Sequence, residues 1–223
     1  EFKVGQLLLT RGQQVTPAGI GLLANLGYVN VPVYQVPRVA ILATGSELLP
    51  VGAQLTPGKL RDSNSDTLAA CVREAGAEPV KFGVLPDNPL AIEAAFEKAF
   101  QTCDMVLSSG GVSVGDFDYV QDTLIKLGLE KKFWKVAIKP GKPVLFGTLE
   151  DKLCFGIPGN PASALVVFEL LVRPAIRQML GHRLLNRPQV NGKLTQAIQP
   201  SPGRLHFMRA RYDALEGTIT PFQ

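Results

Sequence analysis

The apolar positions change their period twice along this chain of 223 residues. Up to Val36, two short apolar stretches flank "TPAGIGLLANLG", where Thr16 predicts an N-cap, Pro17 a first-turn proline and Gly27 a helix stop. This opening piece is too small to bury a core of its own. From Arg38 the pattern becomes an alternation of strands and amphipathic helices. "RVAILATG" (38–45) is a short apolar run closed by glycine, as a strand buried on both faces requires. "SDTLAACVREAG" puts Leu68, Val72 and Ala75 on one helix face, with Gly76 as its stop, and "PVKFGVL" is a second strand. "NPLAIEAAFEKAF" predicts a second helix with Ile92, Phe96 and Phe100 on one face, and "CDMVLSSGG" a third strand. Val120, Leu124 and Leu127 mark the next helix. "FWKVAIKPGKPVLFGTL" and "KLCFGIPGN" then lead into a long helix from Ala162 to about Leu180, with Leu165, Phe168, Val172 and Ile176 inward.

Such alternation predicts an α/β fold, a mainly parallel sheet sandwiched by helices and joined by right-handed crossovers. From Gly181 the period shifts to two. "PQVNGKLTQAIQ" and "HFMRARYDALEGTITPF" carry Asn-Gly and Glu-Gly turn signals and predict β-hairpins of a small partial β-domain at the C-terminus. The expected organisation is therefore 1–37 as the tail of a preceding domain with a linker, 38–181 as the α/β domain, and 182–223 as a partial β-domain. The pattern breaks off at Gln223 and both ends read as cut, so a fragment of a longer protein is expected.

Composition narrows the function. With 46 % hydrophobic and 19 % charged residues the chain has a globular make-up, and no apolar run reaches the roughly 20 residues of a membrane span. No signal sequence opens it, so no membrane association and a cytoplasmic location are expected. Cys71, Cys103 and Cys154 form no Cys-x-x-Cys pair, and there are two histidines, which argues against a disulfide framework or a zinc site. A net charge of +4 on scattered lysines and arginines suits a small anion and not a nucleic-acid groove.

In an open parallel sheet, ligands bind beyond the carboxyl ends of the strands. The loop after 38–45, "ATGSEL", offers the hydroxyls of Thr44 and Ser46, the free backbone of Gly45 and the carboxylate of Glu47; an ordinary strand-to-helix turn would use the same residues. In "LPDNP", Asp87 is either a helix cap or a functional acid. "SSGGVSVGDFDYV" (108–120) follows a strand and precedes a helix, so Gly110 and Gly111 can present N–H groups to an oxyanion. It matches neither the dinucleotide nor the Walker glycine spacing. Asp116 and Asp118 beside an anion imply an intervening Mg²⁺, a hard cation that takes one or two carboxylates, unless one of them caps the helix. "KVAIKPGKP" spaces Lys135, Lys139 and Lys142 four and three apart, with the first two on one face if the segment is a strand; a solvated hairpin is the alternative. "GIPGNPASA" forms a rigid turn into the long helix, with Ser163 near its start. A serine hydrolase is excluded by the missing G-x-S-x-G elbow and by the position of both histidines in the last fifth of the chain. Cys103 and Cys154 lie in apolar strand contexts.

"TGSEL", "DSN", "SSGGVSVGDFDYV", "FWKVAIKPGKP" and "GIPGNPASA", in that order, closely resemble the molybdopterin molybdenumtransferases, the MoeA family that includes the gephyrin E domain and the plant Cnx E domain. The resemblance covers Arg38 to about Gly181 and is weaker outside it. The pattern of the glycine loop is shared with molybdopterin adenylyltransferases, while "PGKP" followed by "PGNPASA" and a β-domain favours the molybdenum-inserting branch. The resemblance implies the molybdopterin-binding fold and a transferase of molybdenum cofactor biosynthesis that inserts molybdate into adenylylated molybdopterin, with Mg²⁺-dependent release of AMP. It also implies a homodimer for the full-length protein and a molybdopterin adenylyltransferase as a possible partner. The alternatives are an adenylyltransferase using ATP, or a non-catalytic scaffold of the gephyrin type.

Carried over position by position, the resemblance makes Asp87, Asp118, Lys135 and Lys139 catalytic, and Glu47, Asp116 and Asp118 metal-binding. Substrate binding falls to Thr44, Gly45, Ser46, Ser108, Gly110, Gly111, Ser113, Gly115, Lys142, Pro158, Gly159, Asn160 and Pro161. Arg204, or Arg209, would complete a molybdate pocket from the β-domain.

Overall fold

The computed structural model describes residues 3–111, 119–199 and 202–222. The chain opens with α1 (Pro17–Asn25), where the Thr16 hydroxyl oxygen accepts from the Gly19 N–H at 3.2 Å. Then follow β1 (Arg38–Thr44), β2 (Leu48–Leu49), β3 (Leu60–Arg61), α2 (Asn64–Ala75), β4 (Glu78–Leu85), α3 (Pro89–Thr102), β5 (Met105–Ser109), α4 (Tyr119–Lys126), β6 (Glu130–Trp134), β7 (Ile138–Lys139), β8 (Leu145–Leu149) and β9 (Lys152–Ile157). A continuous helical stretch comprises α5 (Pro161–Val167), a wider π-helical turn (Phe168–Val172) and α6 (Arg173–Met179). Four short strands complete the chain: β10 (Lys193–Leu194), β11 (Leu205–His206), β12 (Ala210–Asp213) and β13 (Thr218–Pro221).

The central sheet has the order β4-β1-β5-β9-β8-β6. β4, β1, β5 and β9 are parallel, whereas β8 runs antiparallel to both β9 and β6. Strand alternation sorts the side chains of β1 into two buried layers. Val39 and Ile41 pack with Leu68 and Val72 of α2 and with Val167, Phe168, Val172 and Ile176. Ala40 and Leu42 pack with Ile92 and Phe96 of α3 and with Val120 and Leu124 of α4. The sheet is thus covered by helices on both faces, which is why β1 reads as an unbroken apolar run. Among the described residues no helix is long and apolar enough to cross a membrane.

Two local features depart from the sequence pattern. Leu165 is exposed, while Ala164, Phe168, Val172 and Ile176 are buried. These four lie at a strict spacing of four, which a helix of about 3.6 residues per turn cannot keep on one face. The π turn at Phe168–Val172 supplies the wider step that restores the phase. The second departure is at Asn191-Gly192, where no hairpin forms. β10 pairs in parallel with β13, and the hairpin is instead β12 with β13, antiparallel across the Glu216-Gly217 turn. A Cβ on Gly192 would lie 2.8 Å from Ile219 Cγ1, so this glycine permits close approach of β13 and does not turn the chain.

Candidate functional site

The first three strands of the central sheet in chain order are β1, β4 and β5, and their succession reverses direction across it, with β4 on one side of β1 and β5 on the other. The crevice between the carboxyl ends of β1 and β5 is the topological switch point, where open α/β sheets bind ligands. A cleft of about 860 Å³ lies there, walled by Thr44, Gly45 and Glu47 at the end of β1, Asp87 after β4, Ser109 to Gly111 at the end of β5, and Pro158 to Pro161 after β9.

The glycine loop enters this cleft in left-handed conformations, φ +88° at Gly110 and +64° at Gly111. A Cβ on Gly110 would stand 2.4 Å from the Thr44 carbonyl oxygen, and one on Gly111 2.8 Å from Thr44 Oγ1. Only glycine lets these two backbones approach so closely. The Gly110 N–H donates to the Ile157 carbonyl at 3.1 Å, joining the loop to the end of β9. Among the described residues, the buried hydroxyls of Thr44, Ser65 and Ser108 have no hydrogen-bond partner.

Two carboxylates bracket the Gly45–Ser46 turn. Glu47 folds its carboxylate back over Gly45, within 2.7 Å of where a Cβ would be. Asp87 Oδ2 accepts from the Ser46 N–H at 2.8 Å. Asp87 does not cap α3, because Asn88 Oδ1 takes the Ala91 N–H at 3.1 Å. Ser46 therefore serves as a backbone donor to an acid and is not itself on the cleft wall. Ser108 is fully buried within β5, and the strand's alternation puts Ser109 on the cleft wall instead.

The lysine segment has a shape that its sequence does not suggest. Lys135 closes β6 at φ +70°, so Lys135 and Lys139 do not share one regular strand. Hydrogen bonds from Lys135 N–H to Val144 O (2.8 Å) and from Val136 N–H to Lys142 O (2.9 Å) close the segment into a loop. Lys135 Nζ sits 3.6 Å over the Trp134 ring, a cation–π contact. From this loop Pro143 reaches the cleft wall; Lys135, Lys139 and Lys142 do not. β11 pairs with β7, with Leu205 opposite Ile138, which brings the exposed Arg204 to the edge of the lysine segment. Arg209 is also exposed, and its carbonyl accepts from Phe222 N–H at 2.9 Å. Ser113, Gly115, Asp116 and Asp118 lie outside the described residues.

A model of a family described as a probable molybdopterin binding domain matches residues 40–178. The chain belongs to this molybdopterin-binding family. It is 41 % identical over 213 residues to the molybdopterin molybdenumtransferase of Haemophilus influenzae, covering 95 % of this chain and 52 % of that protein. The protein of the same name from Bacillus subtilis is 40 % identical over 215 residues, 96 % of this chain and 50 % of the relative. Among solved structures, the molybdopterin biosynthesis MoeA protein of Pyrococcus horikoshii matches with a TM-score of 0.85 at 32 % identity, covering 98 % of this chain and 53 % of that one. The chain thus spans about half the length of these relatives of the molybdopterin-binding family.

Sequence reasoning about single loops missed one wall of the cleft. Leu48, Leu60, Arg61, Asp62, Ser63 and Asn64 form it, held by parallel pairing of β2 with β3. Asp62 Oδ1 accepts from Ser65 N–H at 3.0 Å at the start of α2. Asn64 Nδ2 donates to both Ser109 Oγ and the Gly159 carbonyl, each at 2.8 Å. The signal was the "DSN" triplet, three residues of turn and cap chemistry that fix a helix start beside the cleft.

Proposed function

We propose that this chain is the pterin-binding part of a molybdenum insertase, which transfers molybdate to adenylylated molybdopterin and releases AMP in a Mg²⁺-dependent reaction. The observation that carries the reading is the switch-point cleft, where a glycine cradle and two acids meet, in a chain about 40 % identical over nearly its whole length to proteins named molybdopterin molybdenumtransferase. In this reading the Gly111 N–H and the Thr44 hydroxyl hold a phosphate oxygen, while the Gly110 N–H, already bonded to the Ile157 carbonyl, fixes the loop. Gly159 and Asn160 form the opposite lip.

No group of three or more metal-type ligands occurs among the described residues. Mg²⁺ needs fewer from a protein when a phosphate supplies the rest, and Glu47 and Asp87 on either side of the Gly45–Ser46 turn suit it. They would hold the ion, with Asp116 and Asp118 as further acids that the sequence offers. When bound, the ion would neutralise charge on the phosphates. Lys135, Lys139 and Lys142 supply positive charge for the molybdate dianion and for the departing AMP phosphate, completed by Arg204. The approach of their loop to the cleft through Pro143 supports this role.

Calorimetric titration of the chain with adenylylated molybdopterin, and separately with molybdopterin plus ATP, tests the reading. Tighter binding of the adenylylated pterin is expected. ATP turnover with the plain pterin would replace the insertase by an adenylyltransferase, and binding of neither would remove both.

A further inference from the structure

We infer that Asn64 is a positioning residue of this cleft: its side-chain amide ties the last residue of β5, from which the glycine loop leaves, to the turn after β9 and so sets the width of the phosphate cradle. The inference deepens the proposed function, resting on it for the identity of the ligand but not for the tie itself.

Asn64 is the first residue of α2 and is 8 % exposed. Its Nδ2 lies 2.8 Å from Ser109 Oγ and 2.8 Å from the Gly159 carbonyl oxygen. A carbonyl oxygen can only accept, so the group facing it must be the NH₂ and not the oxygen of the amide. Both amide hydrogens are thereby committed, one to the end of β5 and one to the turn after β9. The parallel pairing of β5 with β9 ends at Ser109 opposite Ile157, the Gly110 N–H to Ile157 carbonyl bond extends it by one residue, and a Cβ on Gly159 would stand 3.7 Å from Gly110 Cα. Across the cleft Gly110 abuts the Thr44 carbonyl, too closely for any side chain between them. The cradle's floor is therefore rigid on the β1 side, and its β9 side is fixed by the Asn64 bridge. Serine at 109 and asparagine at 64 lie 45 residues apart in sequence, so the bridge also pins the start of α2 to the carboxyl end of β5.

Two measurements on the intact chain test the tie. Amide exchange followed by NMR should show Gly110 exchanging about tenfold faster in Asn64→Ala than in wild type, because loss of both Asn64 hydrogen bonds loosens the neighbouring Gly110 N–H to Ile157 bond, with Val39 to Leu42 of β1 unchanged. Equal protection of Gly110 in wild type and Asn64→Ala would overturn the inference. In the second, AMP is the probe and its Kd is measured for wild type, Asn64→Ala, Ser109→Ala and the double variant. A shared tie predicts about tenfold weaker binding for each single variant and no further loss in the double one, because both substitutions break the same link. Additive losses would mean separate contacts and would contradict the tie. If wild type binds no AMP, the ligand assignment of the proposed function falls, while the exchange result still decides the role of Asn64. Asn64→Asp, nearly isosteric, guards against a folding artefact: it must reproduce the faster Gly110 exchange, since a carboxylate cannot donate to the Gly159 carbonyl, and a wild-type rate in this variant would refute the bridge.

Discussion

At Gly110 the backbone is left-handed and an added methyl would meet the Thr44 carbonyl oxygen at 2.4 Å, a backbone atom that cannot swing aside as a flexible side chain would. Gly110→Ala should therefore lower stability by about 1–3 kcal/mol in urea unfolding. Gly159→Ala, with no left-handed φ and its nearest contact at 3.7 Å, should cost under about 1 kcal/mol. Equal losses would show that the cradle does not depend on the close approach of Gly110. Such residue-scale demands were legible only in part. Glycine and proline clusters point to the loops, but whether Asp87 caps a helix or serves the cleft depends on its neighbour Asn88 taking the cap. That competition between adjacent side chains is settled by geometry. The same holds for Ser108 and Ser109, where one residue of strand register separates a core hydroxyl from a cleft hydroxyl.

Among the elements, the helical stretch from Pro161 to Met179 shows most clearly where periodicity misleads. Three inward residues of four follow from the sequence, and Leu165 does not, because a π turn changes the step between residues. The segment that leaves this stretch is clamped back onto it by arginines. Arg173 donates to the Leu185 carbonyl and Arg177 to the Leu184 carbonyl, each at 2.9 Å, while Arg187 bridges Glu169 (2.9 Å) and Glu74 (2.7 Å). The Arg187 guanidinium holds the Glu169 carboxyl below its ordinary range, outweighing the opposing effect of burial. As pH falls, the unfolded chain takes up this proton first. The stabilisation is thus complete above the ordinary glutamate pKa and is lost as pH drops through the lowered folded value. Both side chains are substantially exposed, so its size is at most about 1 kcal/mol. Denaturant melts from pH 5 to pH 3 should show a smaller acid loss in Arg187→Ala than in wild type, and parallel profiles would mean that the clamp carries no proton linkage.

For the whole molecule, the α/β class, the mainly parallel sheet and the two helical layers follow from alternating periods, because burial on both faces leaves an unmistakable apolar run. The antiparallel turn-back of β8 and β6 and the parallel pairing of β10 with β13 do not, since strand order depends on contacts far apart in sequence. The buried layers also predict reactivity. Burial pushes the Cys154 thiol far above its usual range, and Cys71, half-buried near Glu169 and Glu74, is raised too. Alkylation followed by mass spectrometry should modify Cys71 slowly in the native state and Cys154 only as the chain unfolds globally; equal rates would contradict the core described here. The proposed function requires that ligand bind at the switch-point cleft. A second cavity of about 820 Å³, lined by residues from Leu9 to Val15 and Val31 to Tyr34 with Leu180 and His182, has no carboxylate among its described walls. The decisive measurement is NMR titration of the isotope-labelled chain with adenylylated molybdopterin. Shifts concentrated at the amides of Gly45, Gly110, Gly111 and Gly159 are predicted, whereas shifts clustered at Arg11, Tyr34 and His182 would place the ligand in the other cavity and contradict the account.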